Sequence, residues 1–138
     1  RTLAVRMERH NANGMAFAAW ASAEDRVAAV HYPGLASHPD HTVAARTLDG
    51  FGGMVGLQLK GGPRAAERVL RRLRLAQHAP SLGGVETLVS EPRLTSHASL
   101  TPADRHGMGF PDGFIRVSLG IEDAADIIAD FAHALRAL

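Results

Sequence analysis

The clearest alternation of apolar and polar positions lies in FIRVSL, residues 114–119. Ile115, Val117 and Leu119 fall on one face of an extended segment and Arg116 and Ser118 on the other, because successive side chains of a strand point to opposite faces. The pattern predicts a strand with one buried face and an arginine projecting from the other. If that face borders a pocket, the planar guanidinium can bind a carboxylate through two hydrogen bonds. The alternative is a solvated arginine on a half-exposed strand.

Three further strands are predicted from apolar runs with glycine or proline boundaries. They cover Val27–His31, about Met54–Lys60, and VETLVS at residues 85–90. The segment from Glu91 to Pro111 shows no periodicity and is expected to be a long loop, which in compact domains is often functional.

Four helices are predicted from the 3.6-residue period. They cover residues 1–21, a short segment with Asp40 as its cap, a segment with Pro63 in its first turn, and a last segment that starts near Glu122 or Asp123. Their expected buried residues are Leu3, Met7, Met15 and Ala18; then Ala66, Val69, Leu70 and Leu73; and finally Ile127, Ile128, Phe131 and Leu135.

The order of these elements predicts an α/β fold, specifically an α+β sandwich. We expect a small, mostly antiparallel sheet of about four strands with helices packed on one side. A chain of 138 residues is sufficient for one domain, residues 1–138. The chain begins inside the first helix without a capping residue before Thr2, which we interpret as an interruption of something longer.

Composition limits the classes of function. Hydrophobic residues make up 46% of the chain and charged residues 21%, a balance typical of folded globular proteins. No apolar run approaches the roughly 20 residues of a membrane span. The absence of cysteine excludes disulfides and thiolate chemistry and suits a cytoplasmic location. A net charge of +1 gives no steering toward nucleic acid.

Two serine-containing segments are candidates for chemistry. Ser81 begins SLGG, where two glycines allow the backbone to approach a ligand, although a simple turn before the next strand explains the motif as well. Ser96 precedes His97, and a serine beside a histidine suggests an activated nucleophile. No orienting acid is apparent for that pair, so the catalytic interpretation is disfavoured.

Three other patterns have simpler explanations. His38 and His41 have the spacing of metal ligands, but Pro39 places the first in a turn and no further ligands are indicated, so no metal site is expected. The arginines of RAAERVLRRLRLAQH flank an apolar stripe, which favours a solvated helix face over phosphate binding. GFGGMVG matches no phosphate-binding motif.

Four blocks in a fixed order resemble one known family. They are VHYPGLASHPDH, DGFGGMVGLQL, APSLGGVETLVSEPRLTSHASLTPADR and FIRVSLGIEDAADIIADFAHAL. Together they resemble the C-terminal domain of the Cys/Met-metabolism, or transsulfuration, family of pyridoxal-phosphate enzymes, which includes cystathionine gamma-synthase, cystathionine gamma-lyase and methionine gamma-lyase.

This resemblance implies a fold-type I enzyme, commonly a tetramer, whose larger cofactor-binding domain is absent here. Residues 1–21 would form a linking helix. Lys60 is the only lysine in the chain, and it does not lie in the motif of the Schiff-base lysine. No residue of this chain is therefore expected to act as a catalytic or cofactor-binding group. Pyridoxal 5'-phosphate is expected in the full-length enzyme, and the isolated chain is expected to be inactive.

The resemblance also assigns three substrate-binding residues. Arg116 matches the arginine that binds the substrate α-carboxylate. Ser81 matches a serine that helps to seat that carboxylate, and Ser96 stands where a threonine commonly braces the arginine through a hydrogen bond. Holding the carboxylate fixes the orientation of the Cα bonds relative to the cofactor.

The implied function is that of a lyase or transferase acting on sulfur amino acids or O-acylhomoserine, by elimination or replacement at Cγ or Cβ. Several cystathionine enzymes carry a glutamate before the serine, where this chain has Pro80, which weakens the case for cystathionine as ligand. The alternative is a free-standing, non-catalytic binding or oligomerisation module derived from such an enzyme. Partners would be the missing N-terminal domain and further copies of the chain, without nucleic acid or membrane.

Overall fold

The computed structural model describes residues 1–138. Five strands and five α-helices are present, together with one 3-10 turn, Pro92–Leu94. The helices are α1 Leu3–Ser22, α2 His41–Thr47, α3 Gly62–Leu70, α4 Pro102–Gly107 and α5 Ala124–Leu135; the strands are β1 Val27–His31, β2 Met54–Leu59, β3 Gln77–His78, β4 Leu88–Ser90 and β5 Phe114–Ser118.

All five strands form one sheet in the order β1-β2-β5-β4-β3. Every neighbouring pair is antiparallel except β3 and β4, which are parallel. The mostly antiparallel sheet is therefore confirmed, with five strands instead of about four. The additional strand, Gln77–His78, is too short to produce an alternating pattern in the sequence. β4 begins at Leu88, three residues later than predicted, because the amide of Thr87 binds the Glu122 carboxylate.

Helices α1, α3 and α5 cover one face of the sheet, as the sequence predicts. The apolar side of β5, including Ile115 and Val117, packs there together with Val55 and Leu57 of β2. Phe17 of α1 contacts Phe131 of α5 edge to face within the same core, with ring centroids 4.7 Å apart. The opposite face of the sheet is thereby left for the segment that follows β4.

The predicted buried face of α1 is confirmed only at Ala18. Leu3, Met7 and Met15 are exposed, whereas His10, Asn13, Gly14 and Phe17 are among the buried residues. Asn13 Nδ2 donates to the carbonyl oxygens of Gly120 and Glu122, both at 2.9 Å. Part of the buried face of α1 is therefore polar and binds the turn after β5, which hydrophobic periodicity does not reveal.

The expected long loop contains two helical segments, the 3-10 turn and α4. Thr101 begins α4, and its hydroxyl accepts a hydrogen bond from the Asp104 amide at 3.2 Å. Pro102 occupies the first turn. Threonine, proline and an acid at these positions form a helix-start signature that is present in the sequence.

The remaining helix boundaries differ slightly from those expected. Asp123 caps α5, with its carboxylate 2.9 Å from the Ala125 amide. Asp40 occupies the corresponding position of α2 but makes no capping bond. α3 ends at Leu70, and Leu73 packs against the core from the following turn. None of the helices is long and apolar enough to cross a membrane.

Candidate functional site

Arg116 lies at the centre of the sheet, on the face opposite to the helices. In the register, it pairs with Gly56 of β2 and with Ser90 of β4. Its Nη2 donates to the carbonyl oxygens of Pro80 and Ser81, at 2.8 and 3.0 Å. Its Nε is buried and has no hydrogen-bond partner. Nη2 of the guanidinium is thus fixed by the protein, and the buried Nε is left without a partner.

A cavity of about 260 Å³ adjoins Arg116, and we call it the Arg116 cavity. Ser96 and His97 line it, together with Phe110, Phe114 and Pro92. The aromatic rings form a connected series, with centroids 4.6 Å apart for His97 and Phe110 and 5.3 Å apart for Phe110 and Phe114. The cavity combines one cation with an apolar wall, an arrangement that suits a small anion with an apolar substituent.

Ser81 contacts Arg116 through its backbone, and its exposed hydroxyl has no hydrogen-bond partner in the structure. The loop that carries it is attached to β5 and to the turn beyond. Ser118 Oγ accepts from the Gly83 amide at 3.1 Å, and the Glu122 carboxylate accepts from the amide and hydroxyl of Thr87 at 2.6 and 2.8 Å. Thr87, Ser118 and Glu122 therefore position the loop, a role that only long-range contacts reveal.

Ser96 lines the Arg116 cavity but does not brace the arginine as expected. Its Oγ lies 2.8 Å from Nδ1 of the adjacent His97, and no hydrogen bond joins it to Arg116. The two backbone carbonyls already occupy Nη2 of the arginine. Although Ser96 and His97 are in contact, no carboxylate binds the histidine, so the arrangement lacks the orienting acid of a nucleophilic triad.

His31 of β1 is a neighbour of the site that sequence reasoning missed. It pairs with Gly56, which pairs with Arg116, so the three residues form one row across the sheet. Because Gly56 has no side chain, the Phe114 ring lies over it and approaches His31, with ring centroids 5.5 Å apart. Burial and, to a lesser extent, nearby His38 lower the pKa of His31 from 6.5.

The two histidines with metal-ligand spacing bind backbone groups. His38 Nδ1 accepts from the Asp40 amide at 3.1 Å, and His41 Nδ1 lies 2.8 Å from the Pro33 carbonyl oxygen, to which it donates. No group of three or more His, Cys, Asp or Glu side chains is arranged to hold a metal ion.

Comparison with known proteins identifies the family of the chain. The family model for Cys/Met metabolism PLP-dependent enzymes matches residues 1–136. The chain belongs to this family. It is 45% identical over 135 residues to cystathionine beta-lyase of Coxiella burnetii, covering 98% of the chain and 35% of that protein. With L-methionine gamma-lyase of Pseudomonas putida it shares 41% identity over 137 residues, covering 99% of the chain and 34% of the relative.

A solved structure gives the same result for the fold. The crystal structure of cystathione gamma lyase (CalE6) from Micromonospora echinospora superposes with a TM-score of 0.92 at 39% identity, covering 98% of this chain and 35% of that one. The family and the α/β fold expected from the sequence motifs are therefore confirmed. The chain spans about a third of the length of these relatives.

Pyridoxal phosphate is the cofactor of this family of enzymes, and the residues present fit only part of its chemistry. Lys60, the sole lysine, follows β2 and does not line the Arg116 cavity. It stands four residues beyond Gly56 along the strand, roughly 13 Å away at the usual rise per residue. The Arg116 cavity therefore has an arginine but no lysine among its lining residues.

Proposed function

We propose that residues 1–138 form the substrate-carboxylate-binding part of a pyridoxal-phosphate-dependent lyase or transferase. The substrate would be a sulfur amino acid or an activated homoserine, and the reaction an elimination or replacement at Cγ or Cβ. The buried, unpartnered Nε of Arg116 beside an apolar cavity carries this proposal. A buried donor without a partner costs about 1–3 kcal/mol, which a bound carboxylate would recover.

The role of Arg116 follows from its fixed orientation. Because the carbonyls of Pro80 and Ser81 hold Nη2, the guanidinium has one edge anchored before a ligand arrives. A carboxylate that accepts a hydrogen bond from the Nε–H forms a charge-assisted contact with a donor of fixed direction. The rest of the amino acid then has a defined direction, and positioning of this kind contributes substantially to rate. Ser81 would add a hydroxyl from the anchored loop, and Ser96 would line the same cavity.

We place the cofactor on a segment outside these residues, where it would supply the electron-withdrawing ring that stabilises charge at Cα. The isolated chain would then be inactive. The aromatic wall of the Arg116 cavity would exclude water from the substrate side chain. Pro80 offers no side-chain acceptor for a distal amino group, which favours a substrate without one. A tetramer like that of the family is part of the same proposal.

A chimera tests the proposal. The segment of the Coxiella burnetii relative that matches this chain is replaced by residues 1–138, and amino-acid turnover is measured with Arg116→Lys and with Arg46→Lys as matched control. Arg46 is exposed on α2 and makes no ion pair. We expect Arg116→Lys to raise KM at least about tenfold with cofactor content unchanged. An unchanged KM in a folded, cofactor-loaded Arg116→Lys chimera would contradict the assignment.

A specific observation also supports a non-catalytic binding or oligomerisation module. Val5 and Ile121 line one cavity of about 440 Å³ and are both exposed. The carbonyl of exposed Val85 accepts a hydrogen bond from the Ile121 amide, and the charged residues Arg6, Glu8 and Arg9 line the same cavity. Analytical ultracentrifugation of the chain tests the module: a concentration-dependent dimer that Val5→Ser and Ile121→Ser disrupt, together with unchanged turnover of the chimera that carries both substitutions, would favour it.

A further inference from the structure

Five basic side chains cluster where α3 and α5 end, and none of them lines the Arg116 cavity. Arg71, Arg72 and Arg74 follow α3, and together with His133 of α5 they line a cavity of about 390 Å³. Arg136 joins them, because its Nη2 donates to His133 Nδ1 at 3.2 Å. We refer to these five residues as the basic cluster.

The basic cluster lacks carboxylate partners. Ion pairs in the structure involve Arg26, Arg93 and Arg105 only, so none of the four clustered arginines has an acid within 4.0 Å. Glu67 of α3 is bound by Arg93 at 2.9 Å. Cations at a helix C-terminus interact favourably with the helix dipole, but that effect acts within the last turn and does not account for three arginines without ion pairs around one cavity.

The backbone of the basic cluster is held in place. Asp130 of α5 accepts hydrogen bonds from the amides of Arg74, Leu75 and Ala76, at 2.8, 3.0 and 3.0 Å. Since its carboxylate is occupied by these three donors and buried, it attaches the arginine-bearing turn to α5 and does not pair with the guanidiniums. The arginines therefore project from a fixed turn, which reduces the entropy lost when a ligand binds.

We propose that the basic cluster binds a compact ligand with a di- or triphosphate group. One guanidinium can bind two phosphate oxygens through two parallel hydrogen bonds. Several guanidiniums on one concave surface can therefore bind several phosphate oxygens at once. The residues that line the cavity include no aromatic side chain on which a base could stack. The net charge of +1 also disfavours an extended surface for nucleic-acid binding, so the phosphate chain itself is the recognised group. This site is independent of the function proposed for Arg116.

Isothermal titration of the 138-residue chain tests the site, with sodium tripolyphosphate and ATP as probes. The triple substitution Arg71→Gln, Arg72→Gln, Arg74→Gln is compared with Arg46→Gln, an exposed arginine in the last turn of α2. We expect tripolyphosphate binding that weakens with added salt, falls at least about tenfold in the triple variant and changes less than about twofold in the control. Arg74→Gln alone, with an unchanged melting temperature, guards against misfolding of the triple variant and should still weaken binding.

The two probes distinguish sources of the phosphate group. Equal affinity for tripolyphosphate and ATP identifies the phosphate chain as the ligand, whereas tighter binding of ATP identifies a nucleotide; both support the proposal. Absence of binding at about 50 mM salt, or equal affinity in the triple variant and the control, would overturn it. A single-stranded oligonucleotide or an anionic vesicle that binds the cluster more tightly than tripolyphosphate would also overturn it.

Discussion

Substitution of Asp130 by alanine should destabilise the fold more than any other removal of one acidic side chain. The buried carboxylate accepts three backbone hydrogen bonds from the turn after α3. Hydrogen bonds to a charged group contribute about 1.5–3 kcal/mol each, so three independent ones would contribute roughly 4.5–9 kcal/mol. Because they share one carboxylate and water can enter the vacated space, we expect a loss of about 3–5 kcal/mol.

The assay for this prediction is urea unfolding of the 138-residue chain followed by circular dichroism. Asp130→Asn retains one carbonyl oxygen and should lose less than Asp130→Ala. Asp126→Ala, one turn earlier on the same helix and exposed, is the matched control and should lose less than about 1 kcal/mol. A loss below about 1 kcal/mol for Asp130→Ala, or one equal to the control, would refute the view that this carboxylate holds the turn.

Four further changes have defined expectations. Glu122→Ala should speed amide hydrogen exchange in the SLGG loop, whereas Glu86→Ala, in the same loop but without a hydrogen-bond partner, should not. Gly56→Ala should lower stability by about 1–3 kcal/mol, since the added Cβ would displace the phenyl ring above it. Because the pKa of His31 is lower in the folded chain than its value of 6.5 in the unfolded chain, His31 contributes stability above pH 6.5 that is lost as the pH falls through the folded pKa. His31→Gln should therefore flatten the decline in urea midpoint from about pH 7 to about pH 5. Added pyridoxal phosphate should give the isolated chain no borohydride-fixable absorbance near ~420 nm; such a band on Lys60 would contradict our placement of the cofactor.

Local patterns in the sequence were sufficient to predict the sheet and the central arginine. The period of two in residues 114–119 assigns both faces of β5, and the position of Arg116 follows from it. Sequence order and short connections then predict helices on one side. The polar part of the buried face of α1 could not be predicted in this way, because Asn13 is buried by hydrogen bonds to a turn more than 100 residues away.

The parts of the site that depend on register were also outside the reach of sequence patterns. His31 adjoins the site only because β1 and β2 pair so that Gly56 separates it from Arg116. Similarly, the expected bond from Ser96 to Arg116 was inferred from position in a motif. In the structure, the Ser96 hydroxyl is bonded to the ring of His97, and Nη2 of Arg116 is bonded to two backbone carbonyls.

Nitrogen-15 NMR of the arginine Nε–H groups tests the central role of Arg116 most directly. The chain is titrated with L-methionine and, separately, with 3-(methylthio)propylamine, which lacks only the carboxylate. We predict that methionine shifts the Arg116 Nε–H signal with a Kd on the order of 1–50 mM, the range of one charge-assisted pair, and that the amine leaves it in place. A signal that does not move with methionine, or that moves equally with the amine, would contradict carboxylate binding by Arg116.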